Sequence, residues 1–232
     1  MGEVLLRCNA KDIVQQSGKV AQQLGRIATE PDARIPEISI TGHVEATFPY
    51  IQSHLEYVLS ELIHNSIIAI MNKHGGSGAL PPPVEVLICE AVQHLVIRIS
   101  DQGGGIAPES FPYLWTFNKG PGNSARLRNL RKVPKLAATI NELQGSSYFH
   151  PKTQRFEDDM ARGSGSLASL SSRPPSLRLG IGLPMSRIYA EYWAGSLAVH
   201  NLKGYGVDTF LQISKLGNQN EQIASRASVD AV

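Results

Sequence analysis

Leu55-Glu-Tyr-Val-Leu-Ser-Glu-Leu-Ile-His-Asn-Ser-Ile-Ile-Ala-Ile70 places Leu55, Val58, Leu59, Leu62, Ile63, Ala69 and Ile70 at the three-and-four spacing of a helix with one face in a core. On that helix Glu61 and Asn65 stand one turn apart, at the margin of the apolar stripe. From there both can face a cleft. A carboxylate so placed can order or deprotonate a nucleophile, and an amide oxygen is a hard ligand suited to Mg2+. Taken alone, the pair equally describes two polar residues on a solvated helix face.

Outward from this helix, Ile13, Val14, Val20, Ala21, Leu24 and Ile27 predict a second amphipathic helix over Ala10 to Ala28, and a third is expected from Leu183 to Tyr192. A strand is expected near Ile35 to Ile40. The central helix ends before the Gly/Ser/Pro-rich stretch Gly75 to Pro83. Val84, Val86 and Ile88, then Leu95, Ile97 and Ile99, alternate with their neighbours as the strands of a hairpin with one buried face do. Strands near Ser196 to Asn201 and Val207 to Ser214 flank a turn at Gly204-Tyr-Gly206. The expected fold class is α/β, a two-layer sandwich.

With 42% hydrophobic and 18% charged residues in 232, the chain has the composition of a globular protein with one sizeable core. No apolar run approaches the roughly 20 residues of a membrane span, so no transmembrane segment is expected, and the start lacks a signal-peptide pattern. Cys8 and Cys89 have no zinc-site spacing and are expected as buried free thiols, which fits a reducing compartment. The formal charge of +2 is too small to imply nucleic acid. Its distribution is uneven. Lys119 to Arg178, with Gly163-Ser-Gly-Ser, Ser169 to Ser172 and Pro174-Pro175, loses all regular pattern and is read as a mobile insertion, with Leu136 to Leu143 as a candidate short helix inside it. It holds 11 Lys/Arg against 4 Asp/Glu, a local +7 that leaves −5 on the rest. It is either a solvated loop or a basic flap for a polyanionic phosphate or protein substrate.

Two further glycine motifs carry chemistry. Asp101-Gln-Gly103-Gly-Gly105 follows a strand, so the Asp101 carboxylate sits at a sheet edge where a main chain without side chains admits a flat ligand, a geometry that suits an adenine amino group. Gly180-Ile-Gly182-Leu-Pro184 opens a helix whose first amides are unpaired and whose dipole is positive, a site for phosphate oxygens. Each motif alone is more often a turn or packing device.

In this combination and order, the glutamate–asparagine helix, the two glycine motifs and Gly204-Tyr-Gly206 resemble the N box and glycine boxes of the GHKL superfamily of ATPases and kinases. The resemblance implies the Bergerat ATP-binding fold, a mixed sheet and three helices with a long lid insertion. It implies ATP and Mg2+ as cofactors, with Glu61 as the catalytic base, Asn65 on the metal, Asp101 on adenine, and Gly103, Gly105, Gly180, Gly182 and Leu183 lining the nucleotide pocket. Within the superfamily, Gly182-Leu-Pro-Met-Ser-Arg-Ile-Tyr-Ala-Glu-Tyr-Trp-Ala-Gly-Ser-Leu197 looks like the mitochondrial pyruvate and branched-chain 2-oxoacid dehydrogenase kinases, and Pro49-Tyr-Ile-Gln-Ser-His-Leu55, Asp101-Gln-Gly-Gly-Gly-Ile106 and Gly204-Tyr-Gly-Val-Asp208 extend the match. That family resemblance implies a kinase domain over residues 1–218 including the lid at 119–178, with 219–232 as a tail. It further implies transfer of the γ-phosphoryl group of ATP to serine on E1, the lipoyl-bearing E2 as scaffold, and residence in the mitochondrial matrix.

The sequence departs from the family at several positions. Met1 lies near the start of the family's second domain, so the chain looks truncated, and an ATP-binding regulatory or scaffold module without transfer activity is the alternative reading. Tyr57 stands where a histidine usually precedes the glutamate by one turn, and His64 stands in place of a basic residue. Arg178 occupies the place of a first glycine, and Val207 replaces a threonine. The usual Tyr-Ser-Thr lid sequence does not follow Phe117. A homodimer is possible, although Gln219 to Val232 holds no Asp-Trp pair of the kind some relatives use in dimer contacts. A bacterial-type histidine kinase is disfavoured because no histidine precedes His43.

Overall fold

The computed structural model describes residues 4–28, 33–75, 79–117 and 180–215. The expected insertion at 119–178 with its candidate helix Leu136 to Leu143, Arg178, and the tail from Gln219 to Val232 lie outside the described residues.

In chain order the elements are β1 (Val4–Asn9), α1 (Ala10–Ala28), β2 (Ile38–Gly42), β3 (Thr47–Ile51), α2 (Gln52–His74), β4 (Val84–Glu90), β5 (His94–Ser100), a 3-10 turn (Phe111–Tyr113), α3 (Gly182–Tyr192), β6 (Ser196–Leu202) and β7 (Gly206–Ser214). Five strands form one mixed sheet in the order β2-β4-β5-β7-β6, with β2 parallel to β4 and every other pair antiparallel. Alternation fixes its faces. Ile88, Ile97, Leu211 and Leu197 align in register across four strands, and all are buried. Truncating one of them, Ile97 to Ala, would cost about 2–5 kcal/mol through lost burial and the cavity left behind.

Among the described residues three helices provide the second layer. The middle one, α2, packs on both α1 and α3, and its buried residues, including Leu55, Leu59, Ile63, Ile67 and Ile70, reach most of the way around it. His64 is among them, at 4% exposure, so it is an interior residue. The Asn9 side chain caps α1, its Oδ1 accepting the Asp12 N–H at 3.1 Å.

Two sequence expectations are corrected, and one strand pair is added. The strand expected at Ile35 to Ile40 runs from Ile38 to Gly42. Cys8 is buried, but Cys89 is exposed, because it follows Ile88 on β4 and alternation turns it to the face away from the helices. The antiparallel pair β1–β3 was not anticipated. β3 contains Pro49, which argues against a strand, yet a two-stranded ribbon leaves a free side on which a missing N–H costs nothing.

Candidate functional site

Tyr57, Glu61, Asn65, Ala69 and Lys73 recur every four residues along α2 and form one ridge of the helix. The ridge touches both glycine motifs. At one end the Tyr57 ring meets Tyr189 of α3 edge-on, with centroids 5.4 Å apart. Next, the Glu61 carboxylate lies against Gly182, in space that a Cβ there would occupy. Ala69 packs against Gly103, again where a Cβ would collide. The Lys73 stem crosses Gly104, and its Nζ donates to the carbonyls of Gly204 and Tyr205 at 3.2 Å each. Asn65 stands between Glu61 and Ala69, half-buried, and so between the two glycine segments.

Asp101 follows the last residue of β5 and is buried. Its Oδ1 accepts N–H bonds from Gly103 at 2.8 Å and Val207 at 3.3 Å, and the Ser66 hydroxyl of α2 also bonds the carboxyl. Burial nevertheless dominates and raises the carboxyl above its usual range. The three hydrogen bonds oppose that rise, and the charge of Asp208 adds to it. The Gly206 backbone crosses directly over the Asp101 carbonyl, where no side chain fits. Gly104 and Gly105, with φ of 91° and 84°, carry the chain away in the left-handed region that glycine tolerates.

α3 begins at Gly182 with no side-chain cap, and the first helical bond of its start runs from the Met185 N–H to the Ile181 carbonyl at 2.9 Å. Pro184 removes one of the terminal donors, so Gly182 and Leu183 supply the amides at the positive end of the dipole. Gly180 has φ of 67° and turns the chain into this helix. Arg187, one turn further, holds Glu191 through Nε at 2.6 Å and lies 5.1 Å over the Trp115 ring.

The structure therefore brings Glu61 to Gly182, Ala69 to Gly103 and Ser66 to Asp101, with Asn65 between Glu61 and Ala69 on α2, Gly105 in the loop after Asp101, and Gly180 and Leu183 flanking Gly182 in the chain. Sequence reasoning missed Ser66, Lys73 and Asn201. Ser66 was one residue from a motif. Lys73 continues the four-residue ridge and was legible in that spacing, whereas Asn201 carried no local signal. Tyr57 is 4% exposed, and burial with the nearby Glu61 charge pushes its hydroxyl far above the usual range, so it stays neutral beside that carboxylate.

These residues fit a nucleotide with its metal. The amides that open α3 at Gly182 and Leu183 have no side-chain cap, and Asn65 offers an amide oxygen on the ridge between Glu61 and Ala69. Among the described residues no group of three His, Cys, Asp or Glu would hold a metal alone, and Mg2+ is commonly bound through few protein oxygens with waters and phosphate supplying the rest.

Among the described residues, a mixed five-stranded sheet packed against three helices makes a two-layer α/β sandwich, consistent with the GHKL-type fold. In sequence, the chain is similar to mitochondrial pyruvate dehydrogenase kinases. It is 29% identical over 189 residues to the pyruvate dehydrogenase (acetyl-transferring) kinase of Arabidopsis thaliana, covering 81% of this chain and 42% of that protein. It is 26% identical over 248 aligned positions to kinase 2 of Saccharomyces cerevisiae, covering 96% and 50%, and 25% identical over 223 to the Schizosaccharomyces pombe kinase, covering 96% and 44%. The chain thus spans half or less of the length of these relatives. No protein-family model matches the chain.

Proposed function

We propose that this chain is the nucleotide-binding catalytic unit of a protein serine kinase that uses Mg-ATP to phosphorylate the E1 component of a mitochondrial 2-oxoacid dehydrogenase complex. The observation that carries the reading is the α2 ridge, which sets Glu61 against Gly182 of the phosphate-side helix and Ala69 against Gly103 of the adenine-side loop. The names of the curated relatives, all mitochondrial pyruvate dehydrogenase kinases, favour the pyruvate complex and a mitochondrial location. On the same reading residues 1–218 form the kinase unit, the basic segment 119–178 is its lid, the lipoyl-bearing E2 is the scaffold, and a homodimer is a possible assembly.

Each group has a role set by its position. Asp101, buried just after the end of β5, accepts from the adenine amino group, and burial strengthens such a polar contact. The Gly182 and Leu183 amides at the α3 N-terminus bind phosphate oxygens. Asn65 gives its amide oxygen to Mg2+, which when bound neutralises phosphate charge. Glu61 takes the proton of the acceptor serine hydroxyl as that oxygen bonds to the γ-phosphorus and the bond to the ADP oxygen breaks. Tyr57, neutral and buried beside Glu61, leaves the carboxylate free of a competing positive charge.

The test is transfer of labelled γ-phosphate from Mg-ATP to purified pyruvate and branched-chain dehydrogenase complexes, by the chain and by Glu61→Ala. Glu61-dependent labelling of E1 is expected. Nucleotide binding without transfer would instead identify an ATP-binding regulatory or scaffold module. Absence of nucleotide binding would defeat both.

A further inference from the structure

The adenine-side loop Gln102–Ile106 is held from outside by two residues that belong to none of the motifs. Asn201, half-buried on the edge strand β6, uses both ends of its amide on one residue. Its Oδ1 accepts the Ile106 N–H at 2.9 Å, and its Nδ2 donates to the Ile106 carbonyl at 2.8 Å. The pairing imitates a strand ladder with a side chain. It also roofs Gly105, where a Cβ would come within 2.6 Å of Asn201 Oδ1 and 3.1 Å of the Leu202 carbonyl.

On the other side, Lys73 ties the turn to α2 through the Gly204 and Tyr205 carbonyls. That turn exchanges two backbone bonds with Gly104, whose N–H donates to the Tyr205 carbonyl at 2.9 Å and whose carbonyl accepts the Gly204 N–H at 3.0 Å. Lys73 therefore grips the turn that grips the loop, and its Cδ lies 3.3 Å from the place of a Gly104 Cβ.

Three consecutive glycines, two of them at positive φ, have more conformational freedom to lose than any other tripeptide, so an unheld Gly103-Gly-Gly105 would sample many shapes. A loop already in its binding shape does not lose that freedom when the ligand arrives. We infer that Asn201 and Lys73 are positioning residues that preorganise the glycine loop for a purine nucleotide. The inference rests on the nucleotide-binding reading above and names how that site obtains its affinity.

The experiment is calorimetric titration of the full chain with Mg-ADP, with thermal unfolding and amide hydrogen exchange on each variant. Asn201→Ala should weaken binding about tenfold, and speed exchange at Ile106 and Gly104 while leaving the β4–β5 amides unchanged. Asn201→Asp keeps an acceptor for the Ile106 N–H but turns a carboxylate to the Ile106 carbonyl, and should bind no better than Asn201→Ala at neutral pH. Lys73→Met, which keeps the stem over Gly104 and loses both hydrogen bonds, should weaken binding about two- to threefold. Wild-type affinity in a folded Asn201→Ala overturns the inference. Should that variant fail to fold, Lys73→Met and the exchange rates of the unaltered chain decide, since full affinity in the first together with an unprotected Ile106 amide in the second also overturns it. A wild-type chain that binds no nucleotide brings down the functional reading, whereas one that binds as well without Asn201 brings down only this inference.

Discussion

The carboxylate of Glu61 and the backbone of Gly182 are in direct contact, the one on α2 and the other opening α3, 121 residues later in the chain. Glycine at 182 is what lets the proposed base approach the proposed phosphate-binding turn. In Gly182→Ala the new methyl group would meet the far end of a flexible side chain, so Glu61 would swing aside and the fold would survive. We expect transfer activity to fall at least about tenfold, while the unfolding temperature stays within a few degrees. Because both changes act on the same carboxylate, Glu61→Ala added to Gly182→Ala should cost much less than it does alone. Initial-rate transfer by the three variants checks this, and an unaffected Gly182→Ala would show that Glu61 does not act from this position.

Asp101 makes a separate prediction about stability. Its folded pKa lies above the ordinary carboxylate value because burial outweighs its hydrogen bonds. The folded state therefore holds the proton more tightly than the unfolded state. The stabilising contribution is fully present below the unfolded pKa and is lost as pH rises through the folded pKa. Asp101→Asn keeps an oxygen to accept from Gly103 and Val207, which both bond Oδ1, and carries no buried charge. It should be at least as stable as the wild type at neutral pH, with the difference shrinking as the solution is acidified. Nucleotide binding should nevertheless fall at least about tenfold, because an amide cannot match a carboxylate as acceptor for the adenine amino group. Asp101→Ala should be less stable than Asp101→Asn by about 1–3 kcal/mol, since it strips buried donors of their acceptor. Thermal unfolding from pH 4 to pH 8 (about four units) with parallel binding titrations checks each point.

Arg187 and Trp115 give an optical readout. With the guanidinium 5.1 Å over the indole, Arg187→Ala should uncover a ring that is only half-buried, shifting its emission to the red. A cation–π contact at so exposed a place is worth about 0.5–1 kcal/mol, so the loss of stability should be small. Trp193, the other tryptophan, is 5% exposed and should not respond. Comparing Arg187→Ala with Trp115→Phe in fluorescence separates the two rings, and an unshifted spectrum would mean that Arg187 does not cover Trp115 in solution.

Much of the architecture was legible in short-range pattern. The periods of α1, α2, β4 and β5 followed from apolar spacing, because a helix or strand with one buried face repeats its demand every three to four or every two residues, while α3, β6 and β7 were expected around the glycine motifs at Gly180–Gly182 and Gly204–Gly206. β3 escaped because it contains Pro49, and β1 because Val4-Leu-Leu6 is an unbroken apolar run without the alternation of a half-buried strand. Cys89 was misplaced for a related reason, since composition says that cysteine is usually buried while only strand register says on which face it stands. Asp101, Glu61 and Asn65 were legible because polar residues beside glycines or at the edge of an apolar stripe break a local rule.

What the sequence by itself determined was the inventory, namely which segments are helical or extended and which polar residues stand at their margins. What only the tertiary structure decided was company. That Glu61 meets Gly182, that Ser66 bonds Asp101 and that Asn201 holds Ile106 are contacts between elements distant along the chain. Such contacts depend on the packing of α2 against α3 and on the order β2-β4-β5-β7-β6, and no periodicity within a single element encodes them.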